Sequence, residues 1–145
     1  MIKINENIKS NLKYDHTKLR KLCEKFALKL VILHGSYATG HVHKESDIDI
    51  GILFSADKIK KFRSRLVHEF CELFTDKCDI VILNNVESMI VFQTVMKGIP
   101  LYEAKTGTFA EFQTTAISRY QDAAKFRRLE KRYLQLAIER KPGND

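Results

Sequence analysis

An apolar run at residues 30–33 (Leu-Val-Ile-Leu) leads through His34 into Gly35-Ser36, and ten residues later a second apolar run opens on Asp47-Ile48-Asp49. Few arrangements satisfy that spacing. Two apolar runs separated by a small turn and a polar loop read as two successive strands. Side chains at i and i+2 of a strand point to the same side, which puts Asp47 and Asp49 on one face, within reach of one cation. Two carboxylates so close raise each other's pKa unless a cation offsets the repulsion. Mg²⁺ suits such a pair, because it takes carboxylate oxygen together with substrate phosphates. A glycine-containing turn after a strand lets backbone N–H groups approach a phosphate, and a helix starting there adds a favourable dipole. Each half alone is common in ordinary turns and strand starts; together they read as a nucleotide site.

The alternation continues along the chain. A helix is expected from His16-Thr17, with Leu19, Leu22, Cys23 and Phe26 as its apolar stripe. A short helix follows Ser36 and closes at Gly40, and the second strand covers residues 47–54. Ile59, Phe62, Leu66, Phe70 and Phe74 recur at steps of three or four, describing a helix over residues 56–74 whose phenylalanines are core rather than a base-stacking platform. A third strand spans 78–83, a helix 85–97 closes at Gly98, and residues 99–102 form a short edge strand containing Pro100. From 108 to 141 one long helical pattern runs, with a slip in register near Phe126 that allows a kink or two helices. The fold class is therefore α/β (α+β): a small mixed sheet with helices packed on it and a long C-terminal helical segment.

At 145 residues the chain fits one domain, 1–145, with a core of about residues 17–104 and a helical extension of about 108–141. No apolar run approaches the roughly 20 residues of a membrane helix, and the first 16 residues carry no secretory h-region. Cys23, Cys71 and Cys78 show neither CxxC nor zinc spacing and read as buried free thiols of a cytoplasmic protein. The net charge of +7 comes largely from cations set between apolar residues at helical spacing. A solvated helix face accounts for that pattern, and direct nucleic-acid binding is not expected.

The third strand carries a single acid, Asp79, in an otherwise apolar run, a costly placement unless it is paired or metal-bound. If this strand lies beside the second, Asp79 joins Asp47 and Asp49; otherwise it is merely the strand's exposed start. Ser46 is either a phosphate ligand or a turn cap. His41 and His43 are expected to be solvated loop residues, and His34 to pack or hydrogen-bond locally.

The run GSYATGHVHKESDIDIGILF resembles the active-site signature of the DNA polymerase β-like nucleotidyltransferases, GSx10DxD, with Asp79 matching the third catalytic acid. The compact size, the KGIPLY segment at 97–102 and the helical tail look most like the minimal nucleotidyltransferase (MNT) subgroup. Many of its members act as antitoxins of HEPN-domain ribonucleases. The likeness implies a polymerase β-like palm fold and nucleotidyl transfer from ATP with Mg²⁺, in two ions roughly 3.5–4 Å apart. Asp47 and Asp49 would bind both ions, and Asp79 would complete the ion nearest the nucleophile and accept its proton. Gly35 would let the backbone approach the triphosphate, Ser36 would donate to its β or γ oxygens, and Ser46 is a further candidate ligand. The implied partner is a cognate HEPN toxin, adenylylated on a tyrosine, with a homodimer or a hetero-oligomer with the toxin as the assembly. A small-molecule nucleotidyltransferase of the aminoglycoside type and a non-catalytic antitoxin that acts by binding alone are the alternatives. One departure stands out: many family members carry Arg where this chain has Thr39.

Overall fold

The computed structural model describes residues 3–4, 12–55, 59–74 and 77–140. In chain order these form β1 (Lys3–Ile4), α1 (His16–Lys25), β2 (Leu28–His34), α2 (Ser36–Thr39) and β3 (Ile48–Phe54). There follow α3 (Ile59–Phe74), β4 (Cys78–Ile82), α4 (Ser88–Lys97), β5 (Ile99–Glu103) and α5 (Thr108–Glu139). Among the described residues no helix is long and apolar enough to cross a membrane.

The strands make one five-stranded mixed sheet in the order β1-β5-β2-β3-β4. β2 runs antiparallel to both β3 and β5, whereas β3 and β4 are parallel, joined by the crossover helix α3 that a parallel pair requires. β5 is not the edge strand its proline suggested. It lies between β2 and the two-residue β1, whose partners are Tyr102 and Glu103, so the outer side of Pro100 faces no ladder partner in β1. At the far end Asn84 ties off the sheet, accepting from the Phe54 N–H at 3.0 Å and donating to the Phe54 carbonyl at 3.1 Å.

Strand alternation sorts the core into two layers. On one face Val31, Leu33, Ile50, Ile52 and Phe54 pack with Leu19 and Cys23 of α1 and Leu66, Phe70 and Phe74 of α3. On the other, Leu30, Ile32 and Leu83 pack with Val95 of α4 and Ala116 of α5. The helix over residues 59–74 thus supplies core phenylalanines as its spacing required; the expected start at 56–58 lies outside the described residues. Helix α1 is capped by Asp15, whose carboxylate accepts the Thr17 N–H at 2.9 Å. Gly98 closes α4, though in extended rather than left-handed backbone. Its lack of a Cβ matters for packing, because a side chain there would collide with the Thr94 carbonyl and Ile32. Helix α5 is not divided in two and runs continuously for 32 residues. Its root is tied to the sheet and to α4: buried Glu103 of β5 accepts the Phe109 N–H at 2.8 Å, and Gln113 donates to the Val95 carbonyl of α4 at 2.9 Å.

Candidate active site

The register of three strands builds one row. Asp49 of β3 stands opposite His34 of β2 on one side and opposite Asp79 of β4 on the other. His34 follows Ile32 by two residues, and Asp79 precedes Val81 by two, so both lie on the α4/α5 face. Asp49 shares it, since its neighbours Ile48 and Ile50 point into the opposite core. Asp47, immediately before β3, is two residues further along the same alternation. Helices α4 and α5 cover the other end of this face and leave the row open.

Asp79 does not lie where the cost of burial argued. It is exposed, as is Asp47, while Asp49 between them is half-buried. The second residue of β4 is still at the rim of the sheet, so solvent reaches it before the α4/α5 cover begins. Its position beside Asp49 comes from strand register, with no need of the desolvation penalty.

Gly35 follows β2 with φ of +69°, and a Cβ built there would run into the Asp49 carboxylate. Only a glycine lets the turn close over that acid. Ser36 then opens α2, whose carbonyl-to-amide bonds include Gly40 N–H to Ser36 O at 3.0 Å, and Gly40 ends the turn in left-handed backbone. With four residues α2 is a single turn, too short to supply the dipole expected of a helix here. In the loop that follows, the Ser46 hydroxyl accepts the His43 N–H at 2.7 Å and its own N–H returns to the His43 carbonyl at 3.0 Å. That is the turn-capping arrangement. His41 and His43 are exposed, with His41 Nδ1 3.3 Å from the Thr39 hydroxyl.

Burial pushes the Asp49 carboxyl above the usual carboxylate range; His34 draws it back, and the charges of Asp79 and Asp47 push it up again. Burial likewise lowers the His34 imidazole, against the pull of Asp49 and Asp79. Of the two expectations for His34, packing or a local hydrogen bond, its half-buried ring fits the first, and its Nε2 is buried without a partner. The donor set is oxygen-rich and crowded with negative charge, which fits a hard divalent cation. Among the described residues, however, no three His, Cys, Asp or Glu side chains are already gathered tightly enough to hold a metal ion. Such a set fits a divalent cation that takes its remaining ligands from substrate oxygens.

Beside the row opens a groove of about 420 Å³, lined by His34, Gly35 and Thr39 on one side and by Phe92, Gln93 and Lys97 of α4 on the other. Its volume falls within the range of small-molecule pockets. Phe92 is held from behind by Tyr120 of α5, the rings stacked at 4.1 Å and 12°. Lys97, which opens the KGIPLY segment, lines the groove although its spacing along the chain carried no sign of it. It brings a cation to the groove wall facing Thr39, where the family pattern has arginine.

Comparisons with known proteins bear on the family. Residues 17–107 match the family described as "Polymerase beta, Nucleotidyltransferase". The protein adenylyltransferase MntA of Aphanizomenon flos-aquae is 30% identical over 105 residues, covering 66% of this chain and 70% of that one. A crystal structure of a toxin–antitoxin with AMP-PNP superposes with a TM-score of 0.68 at 27% identity, over 83% of this chain and 98% of the other. A complex of tri-AMPylated Shewanella oneidensis HEPN toxin with MNT antitoxin superposes at 0.62, with 25% identity and coverages of 83% and 95%. The chain belongs to the polymerase β nucleotidyltransferase family.

Proposed function

We propose that this protein is an ATP-dependent adenylyltransferase that silences a cognate HEPN ribonuclease toxin by transferring AMP to one of its tyrosines. The observation that carries the reading is the row of Asp49 and Asp79 with Asp47 beside it, on an open sheet face under a side-chain-free turn at Gly35 and next to a 420 Å³ groove. The similarity to a protein adenylyltransferase, and to structures holding AMP-PNP and an AMPylated HEPN toxin, supports both donor and acceptor.

In the proposed reaction the tyrosine hydroxyl oxygen forms a bond to the α-phosphorus of ATP. The bond from that phosphorus to its bridging oxygen breaks, and pyrophosphate leaves. Catalysis of this kind is mostly positioning and electrostatics, because negative charge builds on the phosphoryl oxygens. Asp47 and Asp49 would hold Mg²⁺, in two ions as the family pattern implies, with Asp79 completing the site on the acceptor side. The metal would neutralise phosphoryl charge and favour the ionised nucleophile. Asp79, the more exposed flank of the row, would accept the hydroxyl proton. Gly35 leaves room for the triphosphate to approach the backbone, and Ser36 would donate to a β or γ oxygen. Ser46 would act by capping the loop that presents Asp47. Lys97 would meet the triphosphate from the α4 side and stand in for the cation absent at Thr39. A cytoplasmic setting suits ATP chemistry and the free thiols of Cys23, Cys71 and Cys78.

The test is transfer of label from ATP carrying it at the α-phosphorus onto the co-expressed toxin. Asp47→Asn keeps shape and removes charge, so it should cut labelling roughly 10²–10³-fold, the usual loss for one preorganised electrostatic group, with unchanged melting temperature. Undiminished labelling by Asp47→Asn would overturn the assignment.

A further inference from the structure

The last buried residue of α5 is Ala116, and every residue from 125 to 140 is exposed. At 1.5 Å per residue, about 24 Å of helix stands clear of the body. That stretch is apolar where solvent should favour polar residues: Phe126 is 70% exposed, Leu129 65%, Tyr133 75% and Ile138 70%. At 100° per residue, these with Leu134 and Leu136 spread over roughly 200° of the circumference. Arg127, Glu130 and Arg140 are interspersed among them, and Lys125, Arg128, Lys131 and Arg132 occupy the opposite arc. Six large apolar side chains exposed along one arc, even with three charged residues among them, make a surface suited to a partner.

We infer that residues 125–140 of α5 are a docking arm that inserts its apolar arc into a cleft, rimmed by carboxylates, on the same protein that accepts AMP. The inference rests on the toxin-modifying reading above. Charge selects this occupant: between 125 and 140 there are six Lys and Arg against two Glu, which attracts an acidic rim and repels a second copy of the same helix. Length argues the same way. The seam Phe126, Leu129, Tyr133, Leu136 spans two heptads, short of the three or four that sustain a coiled-coil pair. A shallow trough of about 560 Å³ between Met89 of α4 and Phe126 continues the apolar surface onto the body. Because α4 and α5 lie on the acid face of the sheet, a protein clasping the arm is on the same side as Asp47, Asp49 and Asp79.

The experiment is calorimetric titration of the full chain with its HEPN toxin, with AMP labelling of the toxin followed in parallel. Leu129→Glu/Tyr133→Glu removes two exposed side chains and should leave the melting temperature unchanged. It should weaken toxin binding roughly 30-fold or more, as loss of an interface hot spot does. Lys125→Glu/Arg132→Glu should weaken it less and flatten its dependence on salt. Equal affinity of the Leu129→Glu/Tyr133→Glu variant and the unsubstituted chain overturns the docking arm. So does a dimer of the free protein that the same variant dissolves, which would make a second copy the occupant. Binding that depends on the arm without any label on the toxin supports the arm and overturns the catalytic reading instead.

Discussion

β3 faces two environments. Toward α1 and α3 it presents Ile48, Ile50, Ile52 and Phe54, none more than 6% exposed; on the reverse it carries Asp49, half-buried at the end of a face that α4 and α5 cover only in part. The sealed side holds the fold by removing apolar surface from water. The open side keeps a crowded carboxyl above its ordinary pKa, and the closed side stabilises the strand that bears it. The lesson is one of separation. Because alternate residues serve different faces, chemistry on one side is insulated from packing on the other.

The largest expected effect is on the sealed face. Phe70 is fully buried, and Phe70→Ala should cost about 3–5 kcal/mol in urea unfolding, while AMP transfer per folded molecule stays the same. A still-folded Phe70→Ala protein without transfer activity would break the separation. Next comes the turn. Gly35→Ala forces a side chain into left-handed backbone and against Asp49, so displacement of the acid should lower kcat by roughly 10²-fold. Its stability should fall by about 1–3 kcal/mol. Unchanged kcat would show that the turn and the acid are not coupled.

The smallest effect sharpens the comparison through pH. The folded-state pKa of Asp49 is raised, so the stability it contributes is present at low pH and is lost as pH rises through that value. In chelator-treated protein, Asp49→Asn should therefore gain on the unsubstituted chain from about pH 4 upward, by about 2 °C or less in Tm at neutral pH. His34 loses stability as pH falls because its pKa is lowered; without the Asp49 charge it is lowered further, so its titration adds to the relative gain of Asp49→Asn as pH rises. A Tm difference flat with pH would mean that the crowding of the acids is not felt.

How much of this was readable beforehand follows from range. Strand alternation is local, so the shared face of Asp47 and Asp49 could be read from residues two apart. The core role of Phe62, Phe70 and Phe74 followed from helical spacing in the same way. Asp79 could be read only as a conditional, because its neighbour Asp49 is reached through the whole crossover between β3 and β4. The interior position of β5 was hidden, since it depends on the two-residue β1 nearly 100 residues away. Lys97 and the groove were hidden for the same reason: only the docking of α4 across β2 brings them to Gly35. The apolar members of α5 were plain in sequence, but a helical period does not say whether anything covers them.

Buried Glu103, tied to the first turn of α5, has a further consequence. β5 is bonded to β2, the strand that delivers His34 and Gly35, so the helix and the acids share one stiff frame. At about 48 Å end to end, α5 then acts as a ruler. A partner bound along it would be held at a set distance from the carboxylates, and that distance would decide which hydroxyl comes within reach.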